Sequence, residues 1–371
     1  MLSMRFMGYI RQIDLLRAFA ILCVVITHWS VPGSSWYKIS TTISGPFIFF
    51  TISGFLITRI LISDREKAEG SGEPKMKVFK NFFIRRALRI FPAYYLTIFI
   101  VYFLSTEPFS QYYSYLTYTT NFHQNATQSW GVLPHLWTMA VEEQFYLFWP
   151  LIILFTPKKF LLPTILAFIV VGIGSRCILP QDDFSFTLPF ACFDALGLGA
   201  LLAWVLKCNA GSIPKVFKAL SLLAVLSIVL LFISALHVYD LYVLHRTFIG
   251  LVTTWVLLFF VMNRDFFTGK YTVALSRVLE LIGKMSYGIF LFHIPLIGHS
   301  YKVLGPLNEL LLPGRIRNSP SILLVENFIL LVLLSWLSWK FLELPIANLK
   351  RYFKTGKPKE HTALVVEAPS I

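Results

Sequence analysis

Apolar runs long enough to cross a bilayer recur along most of this chain, and short polar segments separate them. A membrane-spanning helix needs about 20 mostly apolar residues. The runs that meet this length cover residues 14–31, 43–62, 83–104, 134–156, 160–179, 187–206, 217–236, 246–263, 285–304 and 321–342. The pattern therefore predicts an all-α polytopic bundle of about ten transmembrane helices.

The composition agrees with this pattern. Of 371 residues, 56% are hydrophobic and 14% are charged, and the mean hydropathy is +0.67. A soluble domain does not need that much apolar surface, whereas a polytopic membrane protein does. We expect one transmembrane domain over residues 1–345 and a short, basic, cytoplasmic tail over residues 346–371, with no appended soluble domain.

The net charge of +14 raises the question of a nucleic-acid partner, but the distribution of the basic residues answers it. With ten spans and both termini in the cytoplasm, most Lys and Arg fall on the cytoplasmic side, above all in segments 65–89, 264–284 and 350–359. Cytoplasmic loops of membrane proteins carry such an excess. The charge therefore indicates orientation in a lipid bilayer, and no nucleic-acid partner is expected. The polar stretch 64–77 is expected to be a flexible cytoplasmic loop.

The first predicted helix carries a polar stripe. At about 100° per residue, Arg17 and His28 lie about 20° apart around its axis, and Asp14 lies about 40° from His28. Asp14 and Arg17 have the spacing of an ion pair along a helix. Ionisable groups inside a membrane cost several kcal/mol and are functional by default. The alternative is a helix-entry cap and a core histidine.

Two further clusters carry candidate chemistry. Arg85, Arg86 and Arg89 precede an apolar run, where they can bind phosphate through their guanidinium forks or simply anchor the topology. Glu142 and Glu143 are adjacent inside an aromatic-rich span. Glu142 shares a helix face with His135, Tyr146 and Trp149, whereas Glu143 projects about 100° away and is expected to support packing.

No metal site is predicted. The four cysteines (Cys23, Cys177, Cys192, Cys208) are scattered. They form neither a disulfide framework nor a metal-binding spacing, and no close cluster of His, Cys and carboxylates appears.

Seven motifs, taken together and in order, resemble the acyltransferase-3 family of integral membrane acyltransferases. They are RQIDLLRAFAILCVVITH, FFTISGFLITRIL, FFIRRALRIFPAYY, HLWTMAVEEQFYLFWPL, FDALGLGALLAW, GKMSYGIFLFHIPL and FLELP. They cover residues 9–345, and the paired glutamates of HLWTMAVEEQFYLFWPL are the most specific element. The chain departs from the family pattern at Phe47, where an acidic residue is frequent, and at Cys192, where an Arg is frequent.

The resemblance implies an O-acyltransferase in a bacterial inner or plasma membrane. Such an enzyme transfers an acyl group, commonly acetyl, from cytoplasmic acyl-CoA to a hydroxyl of a carbohydrate or glycolipid acceptor. Acyl-CoA enters as a substrate, and no tightly bound cofactor is expected. A secondary transporter of a small polar or anionic solute is the alternative, because buried charges also line transport pathways. The internal repeats that are typical of transporters are not evident in the sequence.

The resemblance also assigns roles. His28 is the expected catalytic residue, either as a general base or as the carrier of the acyl group. Glu142 and Arg17 are expected beside it, with Glu142 orienting His28 or the acceptor hydroxyl. Arg17, Arg85, Arg86 and Arg89 would hold the phosphates of acyl-CoA. The expected supporting residues are Asp14, Ser53, Glu143, Tyr146, Asp194, Ser286 and Tyr287. His293 and Glu343 also match family-like positions.

Overall fold

The computed structural model describes residues 9–105, 108–236, 242–267, 273–300, 304–306, 308–309 and 320–353. Within these ranges the chain forms helices and no strand. Ten of the described helical segments are long and apolar enough to cross a membrane. The prediction of an all-α bundle with about ten spans is therefore confirmed, while most of the predicted C-terminal tail (354–371) lies outside the described residues.

The α-helices are α1 (Arg11–Trp29), α2 (Ser35–Ile43), α3 (Gly45–Ser71), α4 (Lys75–Leu104), α5 (Tyr113–Leu116), α6 (Thr120–Thr127), α7 (Leu136–Phe155), α8 (Lys158–Ile178), α9 (Phe193–Cys208), α10 (Ile213–Ala235), α11 (Tyr242–Met262), α12 (Val273–His299), α13 (Pro320–Ser338) and α14 (Leu344–Ala347). Short 3-10 turns cover Phe109–Tyr112, Ser185–Thr187, Pro189–Cys192, Ala210–Ser212 and Asn348–Tyr352. A π-helical turn at Trp339–Glu343 follows α13.

Burial divides the helices into a central and a peripheral group. The span that contains α9 is 72% buried over its most apolar window, whereas the span that contains α10 is only 11% buried. Both are strongly apolar, because side chains that face lipid must be as apolar as those in the core. The central helices α1, α3, α7 and α9 therefore form the protein interior, where polar side chains can find protein partners.

Two glycines let central helices approach closely. A Cβ at Gly54 in α3 would collide with the backbone of Leu196 in α9, and one at Gly283 in α12 would collide with the backbone of Asp14 in α1. Small residues at such crossings bring helix backbones together in membranes. The contact at Gly283 places α12 directly beside the polar stripe of α1.

The predicted flexible loop over residues 64–77 is wrong. Its first part continues α3, and α4 begins at Lys75. Arg65 forms an ion pair at 2.9 Å with Glu69, one helical turn later, which favours the helix over a loop. Gly72, with φ of +69°, then ends α3, because glycine adopts this left-handed conformation without steric cost.

Candidate active site

A cavity between the central helices collects most of the predicted polar residues, and we call it the arginine cavity. It encloses about 790 Å³, including the part that is open to the surroundings. Its polar lining comes from Arg17, Ser53, Arg86, Arg89, Thr138, Glu142, Tyr146, Ser286 and Tyr287. Helices α1, α3, α4, α7 and α12 thus contribute to one site.

Glu142 lies at the centre of a hydrogen-bonded triangle in this cavity. The Ser53 hydroxyl donates to Glu142 Oε1 at 2.8 Å. The Tyr146 hydroxyl lies 3.0 Å from Glu142 Oε2 and 3.1 Å from Ser53 Oγ. Tyr146 is one helical turn after Glu142 on α7, so the helix itself sets their contact. Ser53 comes from α3, and the triangle therefore joins two helices.

Arg17 enters the cavity from α1. Its guanidinium donates to Ser286 Oγ at 2.9 Å and lies 3.8 Å from the Asp14 carboxylate. The predicted pairing of Asp14 with Arg17 is confirmed. Asp14 also accepts a hydrogen bond from the Tyr9 hydroxyl. Asp14 therefore orients Arg17 from behind, and Ser286 holds it from α12.

The three arginines of α4 have different surroundings. The Arg86 guanidinium stacks over the Tyr146 ring at 4.9 Å, and Arg89 lines the same cavity. Within the described part of the chain, neither Arg86 nor Arg89 has a salt-bridge partner. Arg85 instead bonds Asp64 at 2.6 Å and the Phe353 carbonyl at 2.8 Å. The structure thus separates Arg85 from the two arginines of the cavity.

His28 lies in a second cavity, which we call the histidine cavity. This cavity is lined by Val24, His28, Pro46, Trp130, Pro134, His135, Trp137, Thr138 and Phe290. It shares Pro46, Thr138 and Phe290 with the arginine cavity. The two cavities therefore adjoin across a common wall, with the guanidinium groups in one and the imidazole in the other.

Three histidines meet at or behind this cavity: His28 on α1, His135 in the turn before α7, and the buried His293 on α12. His293 Nε2 lies 3.3 Å from His28 Nδ1, and the rings of His135 and His293 are 4.9 Å apart. The sequence placed His28 on α1, but it gave no sign that His293 would lie beside it. Among the described residues, no group of His, Cys, Asp and Glu has a geometry that could hold a metal ion.

Backbone carbonyls fix the tautomers of two of these rings. His28 Nδ1 lies 2.9 Å from the Val24 carbonyl, and His293 Nδ1 lies 2.7 Å from the Phe290 carbonyl. A carbonyl only accepts, so both Nδ1 atoms carry the proton. His28 Nδ1–H is then shared between the Val24 carbonyl and the more distant His293 Nε2. The lone pair of His28 is left on Nε2, which is the arrangement a base or nucleophile needs.

Sequence comparisons assign the chain that carries this site to a protein family. The family model of the acyltransferase-3 domain, described as an acyltransferase domain, matches residues 10–340. The chain belongs to the acyltransferase-3 family. The resemblance drawn from the seven motifs is thus confirmed. The family and the ten apolar helical segments in the described chain make it a multi-pass bacterial membrane protein of the acyltransferase class.

Curated relatives of this acyltransferase-3 protein are bacterial. The peptidoglycan O-acetyltransferase of Listeria monocytogenes is 29% identical over an alignment of 391 positions, which covers 95% of this chain and 58% of that protein. A Bacillus subtilis protein that is provisionally named a peptidoglycan O-acetyltransferase is 30% identical, with 91% and 55% covered. The O-acetyltransferase of Staphylococcus aureus is 25% identical, with 93% and 58% covered. The chain thus spans little more than half the length of these relatives. No solved structure matches it.

Besides Asp14, two predicted supporting residues of this acyltransferase-3 chain, Asp194 and Glu143, line neither cavity. Asp194 forms a buried bidentate pair with Arg176, at 2.7 and 2.8 Å, and accepts a hydrogen bond from Thr247 at 2.6 Å. Position 192, where the family often has an Arg, is a Cys in this chain. Arg176 of α8 thus provides the positive charge that pairs with Asp194. Glu143 is buried, and its Oε1 has no hydrogen-bond partner in the described part of the molecule.

Glu343 lies behind the arginine cavity. The π-helical turn presents it, and the Ser338 hydroxyl donates to its Oε1 at 2.9 Å. Glu343 packs close to Gly288 of α12, and it is within electrostatic reach of Arg17 and Arg89. In the sequence, Glu343 stands out only because it is the glutamate of the FLELP motif. A π-helical turn adds one residue to a helical turn and so changes the direction in which Glu343 points. The spacing of residues in the sequence does not show where such a turn occurs.

Proposed function

We propose that this chain is an integral membrane O-acyltransferase that moves an acetyl group from acyl-CoA to a hydroxyl of a carbohydrate acceptor. The observation that carries the proposal is the adjacency of the arginine and histidine cavities. Donor phosphates in one cavity would then lie close to the reacting groups in the other, with Pro46, Thr138 and Phe290 between them. Family membership favours acyl transfer over the alternative of solute transport.

The donor end rests on the arginine cavity. Acyl-CoA carries phosphates, and guanidinium groups bind phosphate with short charge-assisted hydrogen bonds. Arg86 and Arg89 face the cavity without salt-bridge partners in the described chain, and Arg17 is held there by Ser286. These three arginines, rather than Arg85, are the phosphate ligands in this proposal.

The transfer step rests on His28. The acceptor oxygen attacks the thioester carbonyl, a C–O bond forms, and the C–S bond breaks. The hydroxyl proton passes to His28 Nε2 and from there to the departing thiolate. In the second route His28 Nε2 itself accepts the acyl group and then releases it to the acceptor. A labelled acyl group that stays on purified protein after donor removal distinguishes the second route from the first.

Glu142 acts at a different place in this scheme from the one its sequence position predicted. It bonds Ser53 and Tyr146 in the arginine cavity and does not touch His28. We infer that the triangle holds the donor thioester near the common wall. The predicted role of Glu142 in orienting His28 is replaced by His293, which contacts that ring directly.

The acceptor follows from the relatives. Two of them are named as acting on peptidoglycan, which is a carbohydrate polymer. We propose a glycan hydroxyl as the acceptor class and acetyl as the transferred group.

The test uses the full chain purified in detergent, with acetyl-CoA, a soluble glycan fragment and detection of the released thiol. His28→Ala should lose at least about 10²-fold in turnover, as expected for a missing general base. His299→Ala is the matched control. Its ring makes the same kind of bond, Nδ1 to the Pro295 carbonyl at 2.9 Å, outside both cavities, and turnover should persist. Near-normal turnover by folded His28→Ala protein would overturn the proposal.

A further inference from the structure

A third cavity lies in the segment between α4 and α7, and we call it the loop cup. Its lining residues are polar and neutral or aromatic: Gln111, Tyr115, Thr120, His123, Gln124, Thr127, Ser129, Trp130 and Gly131. A neutral lining of amides, hydroxyls and aromatic rings fits a neutral ligand that is rich in hydrogen-bonding groups. A phosphate or a carboxylate finds no Lys or Arg among these side chains.

The segment that forms the loop cup is tied to the helix bundle and has little freedom to move. Asn121 on α6 and Gln144 on α7 exchange two amide hydrogen bonds, at 3.2 and 3.0 Å. Gly131 has a φ of +65°, and a Cβ there would collide with the Tyr115 hydroxyl. That hydroxyl also accepts a hydrogen bond from the Leu133 amide at 3.3 Å. A preformed cavity reduces the entropy that binding must overcome.

Gln124 is the buried polar group of the loop cup. Its side chain is 1% exposed, and its Nε2 donates to the carbonyls of Trp130 and Pro134, both at 3.0 Å. Its Oε1 is buried and has no hydrogen-bond partner among the described residues. Buried acceptors without partners are rare in proteins and call for a ligand or a water. A hydroxyl or amide N–H of a ligand satisfies this oxygen.

Trp130 provides the aromatic face of the loop cup. Its ring packs 4.5 Å from that of Phe184, in a turn where Asp182 Oδ1 accepts the backbone N–H groups of Phe184 and Ser185 at 2.9 and 2.7 Å. These bonds, first of all that from Ser185, hold the pKa of the Asp182 carboxyl below its usual range. Trp130 also lines the histidine cavity together with His28. Trp130 therefore lies between the loop cup and the cavity that holds His28.

We propose that the loop cup is the binding subsite for the sugar chain of the acceptor. The C–H face of a sugar ring packs on Trp130, and Gln124 Oε1 accepts a hydrogen bond from its hydroxyl or N-acetyl group. The next sugar along the chain then reaches the histidine cavity with a hydroxyl near His28. The identity of the ligand as an acceptor rests on the proposed function, whereas the binding of a sugar chain does not.

The test measures binding without any donor. Chitotetraose, a neutral oligomer of N-acetylglucosamine, is added to the full chain in detergent, and saturation-transfer NMR gives its affinity. Trp130→Ala should weaken binding about tenfold or more, as truncation of a central aromatic does. Gln124→Leu and the exposed His123→Ala should weaken it as well. Trp36→Ala is the matched control, because Trp36 is 68% exposed on α2, outside the cup.

The outcomes separate the two proposals. Weaker binding in the cup variants with unchanged binding in Trp36→Ala supports the subsite. Unchanged affinity in folded Trp130→Ala and His123→Ala, or no binding of chitotetraose to the unaltered protein, overturns it. If the cup variants lose binding but His28→Ala still turns over, the subsite stands and the proposed chemistry fails. In turnover assays the cup variants should raise KM for the glycan and leave KM for acetyl-CoA unchanged.

Discussion

His293 Nε2 lies 3.3 Å from His28 Nδ1, although the two residues are 265 positions apart in the chain. The contact joins α1 to α12 at the point where the polar stripe of α1 ends. Because the Val24 carbonyl already fixes the Nδ1 proton of His28, His293 acts as a positioning residue that offers this proton a second acceptor and orients the His28 ring.

Removing the acceptor at position 293 should therefore slow the chemical step. His293→Leu should lower kcat about twofold to tenfold, the worth of one neutral hydrogen bond, with KM for acetyl-CoA unchanged. His293→Gln should restore much of the rate, because its amide oxygen can accept from His28 Nδ1–H. Steady-state kinetics over a range of pH check this. Equal rates for the Leu and Gln variants would mean that His293 only fills space.

The arginines of α4 should differ in their effect on donor binding. Arg86→Gln and Arg89→Gln together should weaken acetyl-CoA binding, since each lost charged hydrogen bond costs about 1.5–3 kcal/mol. Raised salt should weaken binding by the unaltered protein in the same direction. Titration calorimetry in detergent measures both effects.

Arg85→Gln is the matched control for this pair. It removes the same charge from the same helix, but its guanidinium bonds Asp64 outside the arginine cavity. Its acetyl-CoA affinity should stay within about twofold of the unaltered value, well below one charged hydrogen bond. If Arg85→Gln weakens acetyl-CoA binding as much as the double variant does, the loss of affinity comes from the lower net charge and not from specific phosphate contacts.

The Arg176–Asp194 pair should matter for stability rather than for chemistry. Both side chains are fully buried, and breaking such a pair leaves one charge without compensation, at a cost of about 3–5 kcal/mol. Arg176→Leu should lower the midpoint of thermal unfolding in detergent markedly. The double variant Arg176→Leu with Asp194→Leu should recover part of the loss. A double variant as unstable as the single one would assign the loss to packing.

The orientation of the bundle stays a prediction that reporters can check. A reporter inserted near Asn125, beside the loop cup, should be active only in its external form. One fused after Lys354 should be active only in its cytoplasmic form, because the basic segments favour that side. Activity of both on the same side would contradict ten spans and would place the loop cup on the donor side.

The sequence predicted the spans and the α1 stripe well, because hydropathy and helical spacing depend only on local order. It could not predict that Arg85 and Arg86 face different surroundings, since neighbours on a helix point about 100° apart and packing decides which one reaches a cavity. The Arg176 pairing and the place of His293 depend on distant helices. The helical continuation of α3 was missed because polar residues indicate exposure, and exposure does not exclude a helix.

The contacts between α1 and α12 limit how these two helices can move. Gly283 packs on the Asp14 backbone, Arg17 bonds Ser286, and Trp29 Nε1 donates to the His293 carbonyl at 3.0 Å. These contacts join the two parallel helices near both of their ends. We therefore expect α1 and α12 to move together as one rigid unit. A movement that opens a path for the acyl group between the cavities is then expected in α3 and α7, whose Pro46 and Thr138 form the common wall together with Phe290 of α12.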